Sequence, residues 1–325
     1  MRTVNFVQAI NEAMREEMQR DSTVFVMGED VELGLMGATR GLVDQFGKER
    51  VRNTPLAECS FVGAAVGAAA SGMRPIVDMM MWDFAYVAMD QFVNQAAKMT
   101  YMFGGQAKLP IVYRGATGAL GASAAQHSES PHAMFMNVPG LKIVIPSTPG
   151  DAKGLLKSAI RDDNPVLFFE YASLMGTSGP VPEDEHLIPL GVADVKRQGD
   201  DVTVVAIGPL VQQALTAAEE LAGDGISIEV VDPRTLVPLD AESIRASVKK
   251  TGRLVVADEA PRVCGAAAEI VSLVTEDDET FGSLKAPVRR VTRPHVPVPY
   301  SPPQENFVIP GKEGIVAAVK EVIEW

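Results

Sequence analysis

Apolar residues recur at helical spacing from Met1 to Met18, through Val4, Val7, Ile10, Ala13 and Met14, and the run Val24 to Met27 that follows reads as a short buried strand. Beyond a glycine-rich loop after Gly28-Glu29-Asp30, the stretch Glu58 to Ser71 offers small and apolar side chains in a helical register. Gly63 and Gly67 lie four apart there, which suits close packing against a neighbour. Strands are expected at 76–81, 110–113, 142–146 and 166–170, with helices over 89–102 and 151–161. Such alternation predicts a mainly parallel sheet covered on both faces.

From Gly176 to Pro189 the sequence GTSGPVPEDEHLIP is rich in Gly, Pro and acidic residues and lacks any periodicity that would make an element. The alternation then resumes: strands at 202–207, 226–231, 254–258 and 288–292, helices at 211–222, 241–251 and 265–275. An extended Pro-rich strap over 294–303 and a last helix over 312–325 complete the chain. The expected division is a first α/β domain over 1–175, a linker over 176–198 and a smaller α/β domain over 199–325. A length of 325 residues with 46% hydrophobic side chains is enough to build two cores.

Composition narrows the function. A net charge of −13 opposes binding to phosphate backbones, so nucleic acid is not an expected partner. The longest apolar run, Phe61 to Ala70, is too short to span a bilayer. The N-terminal segment is acidic and amphipathic rather than a secretion signal. Two cysteines, Cys59 and Cys264, stand far apart with no CxxC spacing, which fits a reducing compartment; a cytoplasmic protein is expected.

Open parallel sheets bind ligands beyond the carboxyl ends of their strands, which selects Glu29, Glu58, Asp83, His127 and Glu170. Glu58 precedes the small-residue helix, where a carboxylate is either a simple helix-terminal group or a functional acid. His127 lies in the Gly/Ala/Ser-rich stretch 115–130 and is either a solvated loop histidine or an acid/base group. His132, five residues on, has neither an HExxH arrangement nor a clear third ligand to make a metal site. Gly223-Asp224-Gly225 imitates half of a magnesium–diphosphate motif, but no Asn occurs between Gly225 and Arg290, and its place between a helix and a strand makes it a turn. Neither GxGxxG after a first strand nor GxxxxGK[ST] is present, and a GxSxG nucleophile elbow is also missing.

The segments NTPLAECSFVGAAVGAAASGMRPIV, MDQFVNQAAK, AAQHSES, NVPGLKIVIPSTPGDAKGLLKSAIRDDNPVLFFE and VVDPRTLVPLD, in this order over nearly the whole chain, closely resemble the beta subunits of thiamine-diphosphate-dependent 2-oxo acid dehydrogenases. The resemblance implies a pyrimidine-type cofactor-binding domain followed by a transketolase C-terminal-like domain. It also implies an α2β2 heterotetramer with an alpha subunit, which holds the magnesium and the diphosphate, and a lipoyl acyltransferase as further partner. The implied substrate is pyruvate, a branched-chain 2-oxo acid, or acetoin. By the same resemblance Glu58 is the acid on the cofactor's pyrimidine, Phe84 stacks on that ring, and His127 faces the reacting carbons. A structural potassium ion would be held by backbone carbonyls of Ile111, Ala159, Ile160, Asp162 and Asn164. The alternative for Phe84 is ordinary core packing, and the loop Val31 to Arg40, the run Met79-Met80-Met81-Trp82 and Ser130-Pro131-His132 depart from the pyruvate-type pattern.

Overall fold

The computed structural model describes all residues, 1–325, and divides them into two compact units: 1–117 with 134–190, and 118–133 with 191–325.

In the first unit, strand β1 (Arg2–Asn5) leads into helix α1 (Phe6–Arg20). The helix expected from Met1 therefore begins later. Asn5 caps it, accepting from the backbone N–H of Gln8 while the Gln8 side chain accepts from the Asn5 N–H, and this reciprocal pair fixes the start. There follow β2 (Val24–Gly28), α2 (Leu42–Phe46), β3 (Val51–Asn53), α3 (Glu58–Ala70), β4 (Arg74–Met81), α4 (Met99–Met102) and β5 (Val112–Thr117). After α5 (His132–Met136) come β6 (Lys142–Val144), α6 (Pro149–Arg161), β7 (Val166–Tyr171) and β8 (Ser178–Val181). The strands of the main sheet run in the order β6-β7-β5-β4-β2-β3, and every pairing among them is parallel. β2, β5 and β7 are buried along their whole length, as expected of strands covered on both faces.

Two expectations are corrected here. The single helix expected over 89–102 is instead a π-helical turn at Gln91–Ala96 followed by the short α4, and a 3-10 segment at Trp82–Ala88 precedes them. Asp90 starts the irregularity, its carboxylate accepting from the side-chain amide of Asn94 at 2.7 Å. The segment after Gly176 is not featureless either. β8 lies within it and pairs antiparallel with β1, Arg2 opposite Val181, a partnership that no local window of sequence reveals.

The second unit contains β9 (Asp194–Arg197), β10 (Val202–Ala206), α7 (Leu210–Ala222), β11 (Ile228–Asp232), β12 (Thr235–Val237), α8 (Ala241–Thr251) and β13 (Leu254–Pro261). Then follow α9 (Ala266–Thr275), α10 (Asp278–Ser283), β14 (Arg289–Arg293), α11 (Pro302–Val308) and α12 (Lys312–Ile323). Its sheet runs β14-β13-β10-β11-β9, parallel except for the edge strand β9. Val202, Val204, Ile228, Val230 and Val255 from the sheet meet Leu210, Val211, Ala214, Ala218 and Leu221 from α7, with Ile315 and Val319 from α12, in one apolar core. The expected strap over 294–303 is extended only in part, because Pro302 and Pro303 open α11, where a fixed φ and a missing N–H cost nothing. Gly223-Asp224-Gly225 forms the turn after α7, with Gly225 at φ 79°, and Asp224 pairs with Lys320 at 2.9 Å.

Candidate functional site

Glu58 is the first residue of α3, and its half-buried carboxyl forms no hydrogen bond or ion pair within the chain. It is not the N-cap, which is Ala57, but occupies the first helical position, so it is a helix-terminal carboxylate without a capping bond. The exposed N–H groups of the first turn favour negative charge at this position. α3 packs on the segment Trp82–Ala88 and on the π turn, and Gly63 permits that approach: a Cβ there would lie 2.7 Å from Oε1 of Gln91. Gly67, which the spacing suggested as a second close contact, faces open space.

Beside Glu58 stands Glu29, just past the end of β2. Its carboxyl is 7% exposed and its Oε1 has no hydrogen-bond partner. Burial, then the charges of Glu58, Asp30 and Asp78, push it above the ordinary carboxylate range. Gly28 makes the strand end possible: it adopts φ +153°, and a Cβ would sit 2.4 Å from the carbonyl oxygen of Asp78.

β4 ends in a bulge between Asp78 and Met81, with Met80 at φ 57° and its N–H donated to Oδ1 of Asp78 at 2.9 Å. The bulge re-aims the chain into the segment Trp82–Ala88. Trp82 is wholly buried, stacked on Phe169 at 4.1 Å, and donates its indole N–H to the carbonyl of Phe168 at 3.2 Å. That anchor leaves Phe84, two residues on, half-buried in the same unit as Glu58 and Glu29, while Asp83 is buried.

Glu170 is not available for chemistry. It is bound by Arg114, whose Nε donates to Oε1 at 2.6 Å and whose Nη2 donates to Oε2, while Nη1 donates to Asp78. All three side chains are buried, and the two carboxylates hold the guanidinium firmly in its charged form. This triad was missed by sequence reasoning; the signal was an arginine inside the otherwise apolar strand β5.

His127 ends the 3-10 turn Ala125–His127 and is half-buried in the second unit. Its neighbour His132 is wholly buried, with Nε2 3.3 Å from Oδ2 of Asp258, which accounts for it without a metal. No group of three or more His, Cys, Asp or Glu side chains is arranged to hold a metal ion, and no helix is long and apolar enough to cross a membrane.

The five carbonyls suggested for potassium lie at the end of α6 and beside β5. Those of Ile160 and Asp162 accept from Nη1 of Arg74 at 3.0 and 3.1 Å, and that of Ile111 accepts from the N–H of Val166 at 2.8 Å. Each carbonyl oxygen retains a second lone pair.

Residues 2–176 match the model of the transketolase pyrimidine-binding domain, and residues 191–315 that of the transketolase C-terminal domain. The acetoin:2,6-dichlorophenolindophenol oxidoreductase subunit beta of Bacillus subtilis is 46% identical, the match covering 99% of this chain and 98% of that protein. The 2-oxoisovalerate dehydrogenase subunit beta of the same organism is 45% identical over 100% of both. The pyruvate dehydrogenase E1 component subunit beta of Rickettsia felis is 48% identical over 97% of both. A solved split-gene transketolase, described as an inactive beta4 tetramer, shares the fold with a TM-score of 0.82 over 97% of each chain at 24% identity. With both domain models matched in order and full-length relatives at this identity, the chain belongs to the transketolase-like family of 2-oxo acid dehydrogenase and acetoin oxidoreductase beta subunits.

Proposed function

We propose that this chain is the beta subunit of the decarboxylating component of a 2-oxo acid dehydrogenase. With an alpha subunit, as an α2β2 heterotetramer of the cytoplasm, it carries out oxidative decarboxylation of pyruvate or a branched-chain 2-oxo acid and passes the acyl group reductively to lipoamide on an acyltransferase. The observation that carries this reading is the pair Glu58 and Glu29: an unbonded carboxyl at a helix start, backed by a buried one whose Oε1 has no partner in the chain. Such a pair fits a ring nitrogen that must share a proton with an acid.

When bound, thiamine diphosphate would supply a nucleophilic carbon and the electron sink that decarboxylation needs. Glu58 holds a proton against the distal pyrimidine nitrogen and so favours the imino form of the ring. Behind it stands the buried Glu29, raised above the ordinary carboxylate range by burial and then by the charge of Glu58. Phe84 presents a flat face for stacking. His127 donates or accepts a proton at the substrate side. Magnesium and the diphosphate fall to the alpha subunit, and the carbonyls of Ile111, Ala159, Ile160, Asp162 and Asn164 are the candidate ligands of a structural potassium ion. The unit boundary at 190/191 falls inside the linker we assign to 176–198, between domains over 1–175 and 199–325.

Cleavage of acetoin on the same scaffold is the second reading, supported by the 46% identity to the acetoin enzyme's beta subunit. Purified chain, with and without its alpha subunit, is to be assayed on pyruvate, branched-chain 2-oxo acids and acetoin. The proposal expects no turnover and poor cofactor binding by the chain alone, and both restored by the alpha subunit. Full activity from the chain alone would overturn the two-subunit reading.

A further inference from the structure

His127 sits on a stretch that cannot hold its own shape. Residues 118–133 contain one 3-10 turn at Ala125–His127 and the first residues of α5, with no strand. Gly118 and Gly121 adopt φ of 77° and 74°, and the same left-handed region is imposed on two alanines, Ala122 at 57° and Ala124 at 62°. A Cβ makes that region unfavourable, so such residues persist only where surrounding groups fix them.

The fixing groups are acidic side chains of the second unit. The N–H of Ala119 donates to Oε1 of Glu259 at 2.8 Å, and the N–H of the strained Ala122 donates to Oε2 of Glu305 at 2.8 Å. Further along, Arg293 donates from Nη2 to Oε2 of Glu129 at 2.9 Å, and His132 meets Asp258. The two carboxylates that take backbone N–H groups come from different elements. Glu259 stands near the end of the interior strand β13 and is 3% exposed; Glu305 is 6% exposed and is the one buried residue of α11, whose other side chains face outward or sit half-exposed. A short helix that buries nothing apolar and turns a single carboxylate inward gains little from packing. Its inward group is explained by the N–H it receives.

We propose that Glu259 and Glu305 are positioning residues that clamp the 118–133 loop by its backbone, and thereby set where His127 stands. Through His127 the proposal rests on the role assigned to that residue above. The clamp acts at two points, one on each side of Gly121, among the positive-φ residues Gly118, Gly121, Ala122 and Ala124.

The test uses amide hydrogen exchange on the full chain and steady-state kinetics on the enzyme assembled with its alpha subunit. In the unaltered chain the amides of Ala119 and Ala122 are expected to exchange about tenfold or more slowly than those of Ser123 and Gln126. Glu259→Leu and Glu305→Leu should release that protection and lower kcat by about tenfold with KM within about twofold. Glu259→Gln and Glu305→Gln, which keep a carbonyl acceptor, should preserve both. Equal exchange across the loop in the unaltered chain, or loss of protection in the Gln variants as large as in the Leu variants, would overturn the clamp. If a Leu variant does not fold, the comparison within the unaltered chain still decides. His127→Ala separates the two claims: unchanged kcat there rejects the role of His127 while the exchange pattern still judges the clamp.

Discussion

Replacing Arg114 by Met removes the positive centre of the buried triad and keeps a side chain of similar reach. The guanidinium is 1% exposed, and the side chains of Asp78 and Glu170 that it binds are 8% and 2% exposed. Without it, two carboxylates remain facing one another away from water. Removing one partner of a buried ion pair costs about 3–5 kcal/mol. For a folding unit of about 150–250 residues that corresponds to a fall in melting temperature of roughly 6–20 °C. The loss should grow with pH. Burial already raises the Glu170 carboxyl from its ordinary 4.5 in spite of Arg114, and deleting the cation raises it further. A carboxyl raised in the folded state favours folding fully below its unfolded value, and that contribution disappears as pH rises through the folded value. Thermal unfolding at about pH 5 and about pH 8 reads both effects, the second pH showing the larger difference from the unaltered chain. Combining Arg114→Met with Glu170→Gln should restore part of the stability at the higher pH. A shift below about 1 °C, or one that ignores both pH and the second substitution, would refute the view of the triad as a mutually dependent buried network.

Gly28→Ala should destabilise the first unit by more than about 2 kcal/mol in urea unfolding, because the added Cβ meets the Asp78 carbonyl at 2.4 Å with φ at +153°; a neutral change would contradict the close approach of β2 to β4. Burial lifts Glu259 to about 7, against the opposing effects of the Ala119 N–H, Arg293 and His132 and with that of Asp258. Its contribution to the second unit is therefore complete below about 4.5 and is lost as pH rises through about 7, a span on the order of 3 kcal/mol. Glu259→Gln should flatten the stability profile between those values, and an unaltered slope would count against it. If the carbonyls near the end of α6 hold potassium, the melting temperature should climb with added potassium chloride and not with sodium chloride. A hundredfold excess over the dissociation constant would add about 2.7 kcal/mol, and identical curves in the two salts would remove the ion from the account.

Much of the second unit was legible because its strands are buried on both faces and appear as nearly continuous apolar runs, such as Val202 to Ala206 broken only by Thr203, separated by amphipathic helices. Glu58 could be singled out by its place before a small-residue helix, and its freedom from capping required the structure. What sequence patterning could not supply is mostly non-local. β1 finds β8 across the length of the first unit, and their residues carry no mark of one another. Arg114 reads as an interruption of an apolar strand until Asp78 and Glu170 are seen at its two sides. Glu305 lies in a Pro-rich stretch whose helix is short, and nothing in its neighbours signals that it points inward. The break in the helix over 89–102 is a π-helical turn at Gln91–Ala96, which apolar periodicity does not distinguish from a regular helix.

The central claim is that this chain contributes the acid that acts on the cofactor's pyrimidine, and that the acid is Glu58. Glu58→Gln keeps the shape of the half-buried side chain at the start of α3 and removes its exchangeable carboxyl proton. The direct measurement is the rate at which the thiazolium C2 proton of thiamine diphosphate exchanges with deuterium in the enzyme assembled with its alpha subunit. The account predicts that exchange slows by about a hundredfold or more in the variant while the assembly remains intact. Exchange at the unaltered rate in a correctly assembled variant would contradict it.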